Sequence, residues 1–265
     1  MAQRYVRVQT TSGQLYYGIL QLNRQVQVLD APPWLGGQLT ELLIEPDSYR
    51  LLAPCVPSKI IAVGKNYAKH AAEMGTEAPK EPLLFLKPST TLIAMGDMIL
   101  YPPQSERVDY EGELALVIGD RCCDCSPEAA QSKIWGYTIA NDVTARDLQK
   151  KDGQWTRAKG FDTFCPLGPW IVRELNPSAR LQTFVNDDPK PAQSALISEM
   201  TFAPDVLVSY ISQVMTLLPG DVVLTGTPEG IGPVQVGDRI RVEIEGIGAL
   251  ENSIAARQTE PAAIA

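Results

Sequence analysis

The chain has 265 residues, 45% of them hydrophobic, enough to bury a core in one large domain with an appendage or in two modest ones, and disorder is not expected. A formal net charge of -8 with no Lys/Arg run excludes the sequence-independent attraction that nucleic acid or an anionic lipid surface requires. No apolar run has membrane-spanning length, and MAQRYVRVQTTSG lacks the apolar core of a signal peptide, so a cytoplasmic protein with reduced thiols is expected.

In chain order, RYVRVQT, QLYYGIL and QVQVLD alternate apolar and polar residues and predict a small antiparallel β-unit. Residues 1–56 read as this small N-terminal β domain plus a Pro-punctuated connection holding one short helix, with the boundary at Pro54 to Pro57. Residues 57–265 read as the larger domain. There KIIAVG is an apolar strand, NYAKHAAEMG a short helix closed by Gly75, and PLLFLKP, GELALVIG and IWGYTIAND are further strands. The tail from Gly220 is strands joined by Gly/Pro turns. Strands outnumber helices and do not alternate with long helices as a doubly wound sheet requires, so a β-rich α+β fold is expected. Of the five cysteines, Cys122, Cys123 and Cys125 form CCDC. Adjacent cysteines diverge, and no second Cys-x-x-Cys or histidine supports a metal, so thiols of a surface loop before a helix start at SPEAA are expected.

Reactive side chains concentrate in the larger domain. Glu111 and Glu113 stand two apart at the head of an apolar strand, so both point to one face, which is apolar further on at Ala115 and Val117. Buried there, the pair must be neutralised by a shared proton, by cationic side chains or by a hard divalent ion; exposed, it is a set of solvated strand-end acids. Asp142 closes the next apolar strand, and three such carboxylates make an all-oxygen set suited to Mg²⁺ or Mn²⁺. His70 is the only histidine, so it is either incidental or works with groups of another type. GTPEGIG lacks the Lys-Ser/Thr of a P-loop and no helix follows it, so its glycines are read as letting backbone approach a ligand.

The ordered set VGKNYAKHAAE, FLKPST, DYEGELALVIG, NDVTARD, WTRAKGFDTFCPLGP and LTGTPEGIGP resembles the fumarylacetoacetate hydrolase superfamily, in its short acylpyruvase/oxaloacetate decarboxylase-like branch. The resemblance implies sheets forming a mixed β-roll or barrel-like catalytic core and a homodimer. It places one Mg²⁺ or Mn²⁺ on Glu111, Glu113 and Asp142, and makes His70 and Glu73 a water-activating dyad, matching their i, i+3 spacing on a helix. Lys159 matches the catalytic lysine, and Lys65, Lys87, Arg146, Gln149 and Thr227 match positions that contact the substrate or shape its pocket. Lys65 departs from the arginine frequent in the branch and offers a carboxylate a point charge rather than a fork. The implied chemistry is cleavage of a C–C bond in a small 2-oxo acid, by acylpyruvate hydrolysis or oxaloacetate decarboxylation, with the metal as electron sink for the pyruvate enolate. Tautomerisation of oxaloacetate or isomerisation of a 2-hydroxy-diene-dioate is the alternative on the same scaffold. A non-catalytic 2-oxo acid binder is a third reading.

Overall fold

In the computed structural model, which describes residues 2–258, the strand Gly112–Ile118 is buried along its whole length. Its residues feed two cores in alternation. Leu114, Leu116 and Ile118 pack with Leu181, Val242 and Leu207, whereas Ala115 and Val117 pack with Ile60, Ala62, Ala140 and Leu224. A strand covered on both faces has no reason to alternate in polarity, which is why GELALVI reads as a continuous apolar run.

This strand lies inside a large mixed sheet. From one edge the order is Leu39–Ile44, Val26–Leu29, Leu15–Leu20, Arg4–Thr10, Cys165–Val172, Ile134–Asn141, Gly112–Ile118, Val222–Leu224, Ile60–Gly64 and Leu83–Lys87. The first and last strands do not pair with each other, so the sheet is open rather than a closed barrel. Against its Leu114 face lie a five-stranded sheet, Gln193–Leu196 to Arg180–Val185 to Arg239–Ile244 to Gly248–Ala256 to Ile99–Tyr101, and the helix Pro204–Val214. The β-rich α+β class expected from the sequence is the class observed. The N-terminal strands keep a small core of Val6, Val8, Val26, Val28 and Ile44, yet Arg4–Thr10 also pairs with Cys165–Val172, Tyr5 opposite Ile171, so they extend the large sheet.

Two local expectations change. The connection after residue 30 holds one 3₁₀ turn, Pro33–Leu35, and two more strands, Leu39–Ile44 and Tyr49–Leu52. LTELLI is rich in helix formers, but pairing with Val26–Leu29 supplies its backbone partners and overrides that local preference. Of the CCDC thiols, Cys123 is exposed and Cys125 half-buried, but Cys122 is buried, with its backbone bridged to Leu217. Burial, chiefly, pushes the Cys122 thiol up to about 11.

One acid fastens the middle of the sheet. Asp221 is buried and accepts from Ser58 N at 3.1 Å, Ser58 Oγ at 2.6 Å, Lys59 N at 3.2 Å and Leu218 N at 2.8 Å, while ion-pairing with Lys59. It joins the starts of Ile60–Gly64 and Val222–Leu224, which pair in parallel. Asp221→Ala is expected to lower unfolding free energy by roughly 3–5 kcal/mol, because backbone donors and a cation lose their acceptor together. A urea titration checks this; a shift below about 1 kcal/mol, the usual size of an exposed pair, would refute the anchoring role.

Candidate metal centre and active site

The hairpin partner of the central strand brings three acids together. Gly112–Ile118 pairs antiparallel with Ile134–Asn141, Gly112 opposite Asn141. The next pair outward is Glu111 and Asp142, with Asp142 N donating to Glu111 O at 2.8 Å and Glu111 N to Asn141 Oδ1 at 2.9 Å. Strand alternation turns Glu113 to the same face as Glu111. One carboxylate oxygen from each of Glu111, Glu113 and Asp142 lies within 4.8 Å of the others, and all three residues are buried. This is the single such cluster of potential metal ligands found among the described residues.

The three acids are unequally compensated. Lys159 Nζ donates to Glu111 Oε2 at 2.7 Å and Asp142 Oδ2 at 2.5 Å, and sits 4.9 Å from the Phe85 ring centroid. Arg146 bonds Glu111 through one amino group and Asp109 Oδ2 through Nε at 2.8 Å. Burial opposes the charged form of Glu111, but Lys159, Arg146 and His70 outweigh it and hold this carboxyl well below its usual range. Lys159 is likewise kept charged: burial works against it, and Asp142 and Glu111 prevail. Glu113 is different. Its one hydrogen bond is from Gly226 N at 2.7 Å, and no ammonium or guanidinium ion-pairs with it among the described residues. Burial, then Asp142 and Glu111, push its carboxyl well above the usual range. Asp142 Oδ1 ion-pairs with Lys87 Nζ at 2.6 Å, and the same ammonium donates to Lys159 O at 2.7 Å and Val143 O at 3.4 Å. A carboxylate with no cation of its own, with an oxygen from each of two further buried carboxylates within 4.8 Å, is what a hard divalent cation satisfies, so the residues present fit Mg²⁺ or Mn²⁺.

His70 faces the same cavity from the helix Ala68–Glu73. Its Nδ1 is 3.2 Å from Glu73 Oε2, one helical turn on, and Glu73 Oε1 accepts from Gly230 N at 3.1 Å. With Nδ1–H donated to Glu73, Nε2 is the basic nitrogen. The cavity, of about 190 Å³, is lined by the three acids and by Lys65, His70, Arg146, Gln149, Lys159 and Thr227, with Phe85 and Trp155 as an aromatic wall whose rings meet edge-on at 5.2 Å. Thus nine of the eleven residues singled out in the sequence line one cavity. Glu73 stands behind His70, and Lys87 behind Asp142 with its side chain buried. Arg146 lines the cavity but its donors go to Glu111, Asp109 and Gln149 Oε1, the last at 2.6 Å. Lys65, in a left-handed conformation at φ 57°, makes no ion pair among the described residues.

Two contributors escaped the sequence reading, and a third, Gly226 of GTPEGIG, is expected from it to approach a ligand rather than a carboxylate. Asp109, fully buried, anchors Arg146; its signal is present as a third acid in the alternation of DYEGE. Gly226, at φ 96°, brings its N–H to Glu113 where a Cβ would meet Asn66 Cβ at 2.7 Å. Gln193 bonds Gly112 and Thr227 from the second sheet, and nothing local in the sequence marks it.

A buried acidic triad at strand ends, a His–Glu pair and a lysine thus share one cavity in this open mixed sheet. Residues 59–255 match the family described as Fumarylacetoacetate (FAA) hydrolase C-terminal, and residues 3–54 match the one described as Rv2993c-like, N-terminal. The chain belongs to the fumarylacetoacetate hydrolase family. It is 42% identical over 205 residues to the mitochondrial oxaloacetate tautomerase FAHD1 of Arabidopsis thaliana, covering 76% of this chain and 92% of that one. The crystal structure of 5-carboxymethyl-2-hydroxymuconate delta-isomerase from Mycobacterium smegmatis superposes with a TM-score of 0.88 at 44% identity, covering 96% of this chain and 100% of the other. Fumarylpyruvate hydrolase from Pseudomonas aeruginosa, solved with Mn²⁺ and pyruvate, gives 0.72 at 33% identity over 78% and 92%. No helix among the described residues is long and apolar enough to cross a membrane.

Proposed function

We propose that this protein is a divalent-metal-dependent enzyme that cleaves the C3–C4 bond of a small 2-oxo acid, by acylpyruvate hydrolysis or oxaloacetate decarboxylation. The observation that carries the reading is the convergence of the buried triad and the His70–Glu73 pair on one small cavity. Glu111, Glu113 and Asp142 hold Mg²⁺ or Mn²⁺, which when bound supplies a Lewis acid that withdraws electron density from the 2-oxo group. Glu73 orients His70, and His70 Nε2 takes a proton from the attacking water in hydrolysis. Lys159 stabilises negative charge developing on the substrate oxygen. Lys65, Gln149 and Thr227 contact the substrate, with the Lys65 ammonium available to a carboxylate; Arg146 and Lys87 serve by holding Glu111 and Asp142. Phe85 and Trp155 exclude water from one side.

A second reading, keto-enol tautomerisation of oxaloacetate or isomerisation of a hydroxy-diene-dioate, is favoured by the names of the relatives at 42% and 44% identity. It uses the same residues with His70 moving a proton at C3 and no attacking water. A panel of oxaloacetate, acetylpyruvate and fumarylpyruvate, assayed with Mg²⁺, with Mn²⁺ and after chelation, separates the readings. Metal-dependent CO₂ release or pyruvate formation is expected. Rapid enol-keto absorbance change without either product replaces cleavage by tautomerisation, and inertness toward all three removes both.

A further inference from the structure

Gln193 enters the site from the strand Gln193–Leu196, in the sheet that packs against the ligand-bearing one. It is 1% exposed, and its amide is fully engaged: Oε1 accepts from Gly112 N at 3.0 Å, and Nε2 donates to Thr227 Oγ1 at 2.7 Å and Pro228 O at 2.9 Å. The partners fix which end is which, because a backbone N–H can only donate and a carbonyl can only accept. Thr227 Oγ1 donates onward to Gly112 O at 2.9 Å. Gly112, Gln193 and Thr227 therefore close a ring that grips Gly112 at both its N–H and its C=O.

Gly112 is the residue between Glu111 and Glu113, so its peptide groups determine where both carboxylates point. It also has no room to shift toward the second sheet: a Cβ there would lie 2.3 Å from Thr183 Oγ1 and 2.9 Å from Val242 Cγ1. Thr227, the other end of the ring, lines the cavity. One buried amide thus ties the metal-binding strand to the loop that meets the substrate.

We propose that Gln193 is a positioning residue of the metal centre, holding Glu111 and Glu113 in register with Thr227. The proposal rests on the reading of the triad as a metal site. Outer-shell groups that orient metal ligands typically account for roughly 10–100-fold in affinity, which sets the expected effect. An amide that merely satisfied buried backbone would contribute to folding alone and leave the affinity of the folded protein untouched.

The test is titration of the full-length protein with Mn²⁺, free ion counted by electron paramagnetic resonance, alongside thermal melting in chelator to identify the folded fraction. Gln193→Met keeps the length and deletes all three bonds. Thr227→Val cuts the ring at its other end while leaving Gly112 N bonded to Gln193. Both folded variants are expected to bind Mn²⁺ roughly 10–100-fold more weakly than wild type. Wild-type affinity in a folded variant overturns the role of Gln193, whereas absence of Mn²⁺ binding in the wild type overturns the metal site itself. Should Gln193→Met yield no folded protein, Thr227→Val decides by the same criterion.

Discussion

Glu113→Gln is expected to abolish tight binding of Mg²⁺ or Mn²⁺ and all metal-dependent turnover, and yet to raise the stability of the metal-free protein. The two effects have one cause. Glu113 is buried beside two other carboxylates without a cation of its own, so the folded metal-free chain carries the cost of desolvating it and of holding it near Asp142 and Glu111. Glutamine keeps the shape and an acceptor for Gly226 N while removing the charge. Stability should rise by about 1 kcal/mol or more, the scale of a single pK unit. Metal affinity should fall by more than the roughly 10–100-fold typical of outer-shell changes. In stability, though not in metal binding, Asp142→Ala should behave in the opposite way. It strands the ammonium groups of Lys87 and Lys159 in the interior, where breaking a buried pair costs about 3–5 kcal/mol. Thermal melts in chelator and Mn²⁺ titrations of both variants measure this. Wild-type Mn²⁺ affinity in Glu113→Gln would end the case for the triad as a metal site, and a destabilised Glu113→Gln would show that its charge is compensated after all.

The second large effect concerns His70. Hydrolysis of an acylpyruvate needs a base for the attacking water, whereas decarboxylation of oxaloacetate needs the electron sink and a correctly oriented carboxylate. His70→Ala is therefore expected to slow acylpyruvate hydrolysis by roughly 10²–10⁴-fold and oxaloacetate decarboxylation far less. Steady-state rates on both substrates, with wild-type Mn²⁺ affinity as the check on the metal site, separate these outcomes. Equal losses on both would move His70 to a shared step such as proton delivery to carbon. Glu73→Gln is a companion change: its amide has one acceptor oxygen in place of two, so it can accept from His70 Nδ1–H or from Gly230 N–H but not from both, and the orientation of His70 is expected to be lost in part.

Much of this site was legible in the sequence because its main parts follow from local geometry. Two glutamates two apart at the head of an apolar strand must share a face, and an aspartate closing the next strand falls opposite them as soon as the strands form a hairpin. His70 and Glu73 follow from helical spacing in the same way. What stayed hidden depends on contacts between distant segments. Gln193 lies 81 residues from its partner Gly112 and carries no local mark of its use. Arg146 resembles a substrate contact by motif, but Asp109 and Glu111 claim its guanidinium. The strand Leu39–Ile44 was obscured because LTELLI contains helix formers and its pairing partner had to be in place before its conformation was determined.

The ring around Gly112 also settles how Thr227 can address a ligand. A hydroxyl owns one hydrogen and two lone pairs. Thr227 sends its hydrogen to Gly112 O and receives Gln193 Nε2–H on one lone pair, so what remains for the cavity is the other. Toward a substrate this side chain is an acceptor and nothing else. It repels an ionised carboxylate oxygen placed against it and welcomes an atom that carries a proton. Under the proposed function, where a keto oxygen and an enol hydroxyl differ by that single proton, this acceptor would favour the tautomer whose facing oxygen carries it.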